Sequence, residues 1–128
     1  MLKTYGLTHI ALKVKDVQRA ANFYKQVFGA QEMYSTDKFI QVQTPGSHDI
    51  IVFEQASTVQ IKTGSIIHFG FRLVEMDDIN KVIDVVIKAG GSIKEKGEFC
   101  PGEPYVFVND PDGYEIEIWY ELQLEPFN

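Results

Sequence analysis

The chain carries a single cysteine, Cys100, among 128 residues, so no intrachain disulfide can form. That scarcity suits a reducing compartment. Cationic excess is missing too: 12 Lys and Arg against 18 Asp and Glu leave a formal charge of −6, which argues against a general nucleic-acid binder. No apolar run approaches the ~20 residues of a membrane span. The opening MLKTYG leads directly into a strand-like segment, without the apolar h-region of a signal peptide. These absences predict a cytoplasmic protein that touches neither membrane nor nucleic acid. Nothing resembles a linker or a low-complexity tract. With 45% hydrophobic and 23% charged residues the composition is that of a globular chain. Its length predicts one domain, large enough to build a core without staples.

What is present is a repeat. LTHIALKVKD, from Leu7, and IIHFGFRLVE, from Ile66, share a third-place His, alternating apolar residues, a base and an acid. His9 falls on His68, Lys13 on Arg72 and Asp16 on Glu75. The halves are expected at about residues 5–60 and 64–122. Alternation with period 2 marks a strand with two different faces. Ile10, Leu12 and Val14, like Phe69, Phe71 and Leu73, form a face that a helix should cover. His9, Ala11 and Lys13, like His68, Gly70 and Arg72, form the other.

A helix follows each strand in the expected pattern. Asp16 is placed to cap the first, Val17, Ala20, Ala21, Tyr24 and Phe28 recur at helical spacing, and Gly29 provides a left-handed stop. In the second, Asp77 or Asp78 caps, and Ile79, Val82, Ile83, Val86 and Ile87 follow the i, i+3, i+4, i+7, i+8 pattern. Gly90 and Gly91 end it. Three strand-like runs come next in each half: about 31–35, 38–43 and 49–55, then 92–96, 105–108 and 114–121. TPGS (Thr44–Ser47) and DPDG (Asp110–Gly113) read as turns. The fold class is therefore α+β, two tandem βαβββ modules whose curved mixed sheets surround a cavity, with helices outside.

The final strand separates Glu115, Glu117, Trp119 and Glu121 from Ile116, Ile118 and Tyr120. If the apolar set faces the helix, Glu117 points where His9 and His68 point. Two imidazoles and a carboxylate from three strands suit a divalent metal with open positions. Taken singly, each His also fits a structural role, and periodicity alone leaves both readings open.

LTHIALKVKD, NFYKQVFGA (Asn22–Ala30), IIHFGFRL and DPDGYEIEIWYE together resemble the vicinal oxygen chelate superfamily. That superfamily includes glyoxalase I, extradiol dioxygenases, fosfomycin-resistance thiol transferases and bleomycin-resistance proteins. The resemblance implies that His9, His68 and Glu117 are metal ligands. It implies one divalent ion per site (Zn, Ni, Fe, Mn or Mg), a small-molecule substrate with vicinal oxygens, lyase, isomerase or dioxygenase chemistry, and pairing as a homodimer. A non-catalytic, bleomycin-resistance-like binder is the alternative. A fourth ligand would come from DIIVFEQ. A gap-free overlay of the two turns aligns Ile50 with Glu117 and Glu54 with Glu121, so Glu54 needs a register shift to ligate. Glu54 and Glu121 are the candidate bases for proton transfer. Lys13 and Arg72 lie on the site-side parity for an anionic group, against a plain reading as solvated strand ends. Tyr105, Phe107 and Trp119, with Phe99, are candidates for a pocket wall, edged by the loop 97–104. Cys100 reads as an ordinary thiol, His48 as solvent-facing and Tyr114 as structural.

Overall fold

A computed structural model describes residues 1, 3–56 and 65–122. The chain divides into two compact units, Met1–Lys62 and Thr63–Asn128.

The first unit runs β1 (His9–Val14), α1 (Val17–Phe28), β2 (Gln31–Thr36), β3 (Phe39–Gln43) and β4 (Ile50–Gln55). Its sheet has the order β1-β4-β3-β2. β1 and β4 are parallel, and the other pairs are antiparallel. The Asp16 carboxylate accepts from the amides of Gln18 and Arg19, satisfying two of the orphan donors of the first turn. Gly29 closes α1 at φ 67°, a left-handed conformation without penalty for glycine. Leu12 and Val14 are buried on the helix side of β1 while His9, Ala11 and Lys13 are exposed, as the alternation predicts. Tyr24 lies at the centre of the core. Its ring centroid is 5.1 Å from that of Phe53 and 5.2 Å from that of Phe23. Phe23 lies outside the predicted apolar stripe, yet it is buried.

The second unit runs β5 (Phe69–Arg72), a 3-10 helix (Met76–Lys81), α2 (Val82–Lys88), β6 (Ser92–Glu98), β7 (Pro104–Asn109) and β8 (Glu115–Trp119). The sheet order β5-β8-β7-β6 repeats that of the first unit, again with one parallel pair, β5 and β8. Even the irregularities repeat. β2 shifts register between Glu32 and Tyr34, and β6 between Ile93 and Glu95. The six strands predicted after the helices begin and end within two residues of their expected limits. Asp110, only 4% exposed, anchors the DPDG turn by accepting from the amides of Asp112 and Tyr114. Gly113, at φ 93°, supplies the turn's positive torsion.

Two expectations fail here. The apolar run 79–87 forms a 3-10 turn and then a helix of 7 residues. Asp77 and Asp78 lie inside the 3-10 turn, and Glu75, which stands at its cap, makes no side-chain capping bond. Three residues per turn in place of 3.6 rotates the stripe. Val82 and Val86 reach the core, whereas Ile87 is 57% exposed. The second difference concerns His68, which lies immediately before β5 and outside its paired residues. Among the described residues, no helix is long and apolar enough to cross a membrane.

Candidate functional site

The side chains that matter lie on the helix-free face of the second sheet, where strand register sets them in rows. Gly70 on β5 is opposite Glu117 on β8, Glu117 is opposite Phe107 on β7, and Phe107 is opposite Glu95 on β6. A second row joins Arg72, Trp119, Tyr105 and Gly97. Residues directly opposite share a face, so the chemistry-bearing side chains of four strands are collected on one surface. Ile116 and Ile118, with the opposite parity, are buried beneath the helix.

His68 lies between two carboxylates. Its Nε2 is 3.1 Å from Glu117 Oε2, and its Nδ1 is 3.4 Å from Glu115 Oε2. Lys94 donates from Nζ to the other oxygen of Glu115. Phe107 turns its ring edge-on to the imidazole at 5.2 Å. Two donors ~2.1 Å from one ion and ~90–110° apart lie ~3.0–3.4 Å from each other. The spacing of His68 Nε2 and Glu117 Oε2 therefore fits two neighbouring ligands of a single metal. Glu115 addresses the other ring nitrogen and cannot share that ion. Among the described residues, no group of three or more His, Cys, Asp or Glu side chains is arranged to hold a metal ion.

Beside this pair stands an aromatic wall. Phe99 stacks on Tyr105 at 4.3 Å, and Trp119 meets Phe99 edge-on at 6.0 Å. Tyr105 donates its hydroxyl to Glu95 Oε1 at 2.9 Å. That bond holds the phenol in its neutral form, so its pKa rises above the ordinary tyrosine value. Tyr105 lies over Gly97, where a Cβ would come within 2.8 Å of the hydroxyl oxygen. Arg72 donates to Glu121 Oε2 at 2.8 Å, joining the predicted anion clamp and the predicted base in one ion pair. Cys100 is exposed. Desolvation first, and then the Glu103 and Glu98 carboxylates, raise its pKa, which suits an ordinary thiol.

In the first unit His9 is exposed, with Nδ1 2.9 Å from Thr8 Oγ1. Lys13 is opposite Glu54 across the parallel pair, and Glu54 is also opposite Phe39. His48 is exposed, as expected. The register revises the overlay of the two turns. Ile10 pairs with Ile51 as Phe69 pairs with Ile116. Val52, not Ile50, is therefore the counterpart of Glu117, and Glu54 corresponds to Trp119. An apolar residue thus stands at the first unit's counterpart of Glu117.

Three polar residues on this face carried no functional prediction: Lys94, Glu95 and Glu115. Glu115 shares the parity of Glu117, a signal visible in the sequence. Lys94 has the parity opposite to Ile93, whereas Glu95 joins the same face only because β6 bulges between Ile93 and Glu95.

Comparison with known proteins follows the same lines. A lactoylglutathione lyase of Arabidopsis thaliana is 29% identical over 124 residues, covering 86% of this chain. The chain spans only 42% of that relative's length. A probable lactoylglutathione lyase of Vibrio parahaemolyticus is 27% identical over 124 residues, with 88% of each chain covered. The solved structure of a mutant fosfomycin resistance protein FosX from Listeria monocytogenes, complexed with Mn(II) and a dihydroxypropylphosphonic acid, superposes with a TM-score of 0.74. It is 23% identical and covers 91% of this chain and 90% of its own. Residues 6–118 match the Glyoxalase/Bleomycin resistance protein/Dioxygenase superfamily, and the chain belongs to that superfamily.

Proposed function

We propose that the protein is a divalent-metal-dependent enzyme acting on a small molecule with two adjacent oxygens, by lyase, isomerase or dioxygenase chemistry. The observation that carries this reading is the 3.1 Å approach of His68 Nε2 to Glu117 Oε2, the spacing of two ligands on one ion. His9, the counterpart of His68 in the repeat, is the third ligand. Bound there, the ion supplies Lewis acidity to a pair of substrate oxygens. Two imidazoles and one carboxylate leave positions open for both oxygens.

The remaining residues have assigned tasks. Phe107, Tyr105 and Trp119 bind the apolar part of the substrate, and their half-buried rings exclude water from it. Lys13 and Arg72 attract an anionic group. Glu54 and Glu121 are the carboxylates available for proton transfer. Because Arg72 holds Glu121, a substrate anion that draws Arg72 away also frees that base. The protein works as a cytoplasmic homodimer whose protomers are each one domain, and light scattering of purified protein tests the pairing.

Elemental analysis after purification without chelator, followed by titration with Zn(II) and Mn(II), tests the metal. Replacing a ligand should cost more than the ~10–100-fold typical of outer-shell changes. His68→Ala and Glu117→Ala are expected to exceed that loss with circular dichroism unchanged. Hemithioacetals with Zn or Ni, and catechols under air with Fe or Mn, then separate isomerase from dioxygenase. Protein that neither carries nor takes up a divalent ion sinks the enzyme reading. It would leave a ligand-sequestering protein, a role for which the same aromatic wall is suited.

A further inference from the structure

We infer that Glu115 is a positioning residue for His68, and that Lys94 holds Glu115 in place to do it. The inference rests on the proposed metal reading and adds residues that are not ligands.

An imidazole can present Nε2 to a metal only if the ring is turned correctly and its proton sits on Nδ1. Glu115 bears on the second requirement, because its Oε2 stands at an ion-pair distance of 3.4 Å from His68 Nδ1, the nitrogen that does not face Glu117. It also restrains the ring, because carboxylates then flank both nitrogens while Phe107 closes on the imidazole edge-on.

A carboxylate in this place needs a partner of its own. The Glu115 side chain is only 14% exposed, and a charge withdrawn from water is costly unless it is paired. Lys94 provides the pairing on Oε1, so that Oε2 is left for His68. The lysine reaches Glu115 from β6, beside the register shift between Ile93 and Glu95. Glu115 itself is two residues before Glu117 on β8 and so shares its face. Lys94, Glu115, His68 and Glu117 thus form one chain of alternating charge and imidazole across two strands, β6 and β8, and the segment before β5. The irregularity in β6 gains a purpose, since such bulges re-aim side chains next to functional sites.

The test compares Glu115→Leu, Glu115→Gln and Lys94→Met with the parent by two readouts. The first is the 15N shifts of the neutral His68 ring in metal-free protein, assigned by their loss in His68→Ala. The second is Zn(II) affinity by calorimetry. In the metal-free parent the proton should be shared between the two nitrogens, because Glu117 stands 3.1 Å from Nε2 and Glu115 3.4 Å from Nδ1. Glu115→Leu should move that proton towards Nε2 and weaken Zn(II) binding by ~10–100-fold. Glu115→Gln, which keeps an acceptor, should retain most of the affinity, and Lys94→Met should fall between. If Glu115→Leu leaves both ring and affinity unchanged, the inference is overturned. Should that variant fail to fold, Lys94→Met decides by the same criterion. A parent that takes up no Zn(II) removes the metal reading. The ring shifts then still decide whether Glu115 sets the tautomer.

Discussion

Gly70 lies directly opposite Glu117 in the parallel pair, and a Cβ added at Gly70 would stand 3.2 Å from the Glu117 carbonyl oxygen and 3.5 Å from its Cβ. The smallest residue of β5 thus borders the backbone and Cβ of the residue proposed to bind metal. In the first unit Ala11 stands opposite Val52 at the same register, so the strand pair itself accepts a methyl group.

This relationship separates the fold from the site. Gly70→Val places a branched residue in a strand, where it is favoured, but crowds Glu117. The strand preference offsets part of the strain at the Glu117 carbonyl, so melting temperature should hold or fall slightly while Zn(II) affinity falls ~10-fold, the low end for changes around a ligand. Gly70→Ala should show a smaller loss. Calorimetric titration beside a thermal melt checks both, and unchanged affinity in Gly70→Val would rule out crowding of Glu117.

The core beneath α1 and the outer side of α2 are expected to differ in sensitivity. Phe53 is fully buried against Tyr24, and Phe53→Ala should cost ~3–5 kcal/mol. Ile87 is 57% exposed, and Ile87→Ala should stay within ~0.5 kcal/mol. Urea unfolding of each variant measures the difference. Comparable losses would mean that Ile87 belongs to the core after all.

Asp16 accepts from Gln18 and Arg19 amides at 2.9 and 3.1 Å. Its replacement by Ala removes a helix cap and should lower stability by ~1 kcal/mol. Asp77→Ala, inside a turn without side-chain capping, should have a much smaller effect. Thermal melts of the two variants side by side provide the comparison.

Tyr105 should ionise later than a free tyrosine, chiefly because its proton is engaged by Glu95, with desolvation adding to the shift. The folded value is raised, so the stabilisation it contributes is complete below the ordinary value of 10.0 and is lost as pH rises through the folded value. Absorbance titration of phenolate, with Tyr105→Phe identifying its component, reads the midpoint. Glu95→Gln should bring it down towards the ordinary range. An unmoved midpoint would show that Glu95 does not govern it.

Much of this was legible along the chain. His9 with His68, and Lys13 with Arg72, disclosed a duplication, and the two sheets do share order, parallel pair and bulge. The buried and exposed sides of β1 and β8 followed from alternation, because successive residues of a strand point to opposite faces whatever their neighbours. The cap at Asp16 and the stop at Gly29 are likewise local, each resting on contacts within a few residues. The second helix misled for a physical reason. Its apolar spacing permits an α-helix from Ile79 onward, but periodicity distinguishes neither the 3-10 start nor the packed face of α2, which centres on Val82 and Val86 and leaves Ile87 outside.

By itself, then, the sequence determined the modules, the faces of their strands and the residue types available for a metal, since each depends on backbone periodicity and local capping. Only tertiary structure decided which of those residues meet. Register is set by hydrogen bonds between strands far apart in the chain, and it made Val52 rather than Ile50 the counterpart of Glu117. A bulge in β6 brought Glu95 to the face of Glu117. The lengths of side chains reaching across strands then placed His68 between Glu115 and Glu117, with Lys94 behind. Parity along a strand assigns a face, but the pairing of distant strands sets distances on that face, and the chemistry depends on those distances.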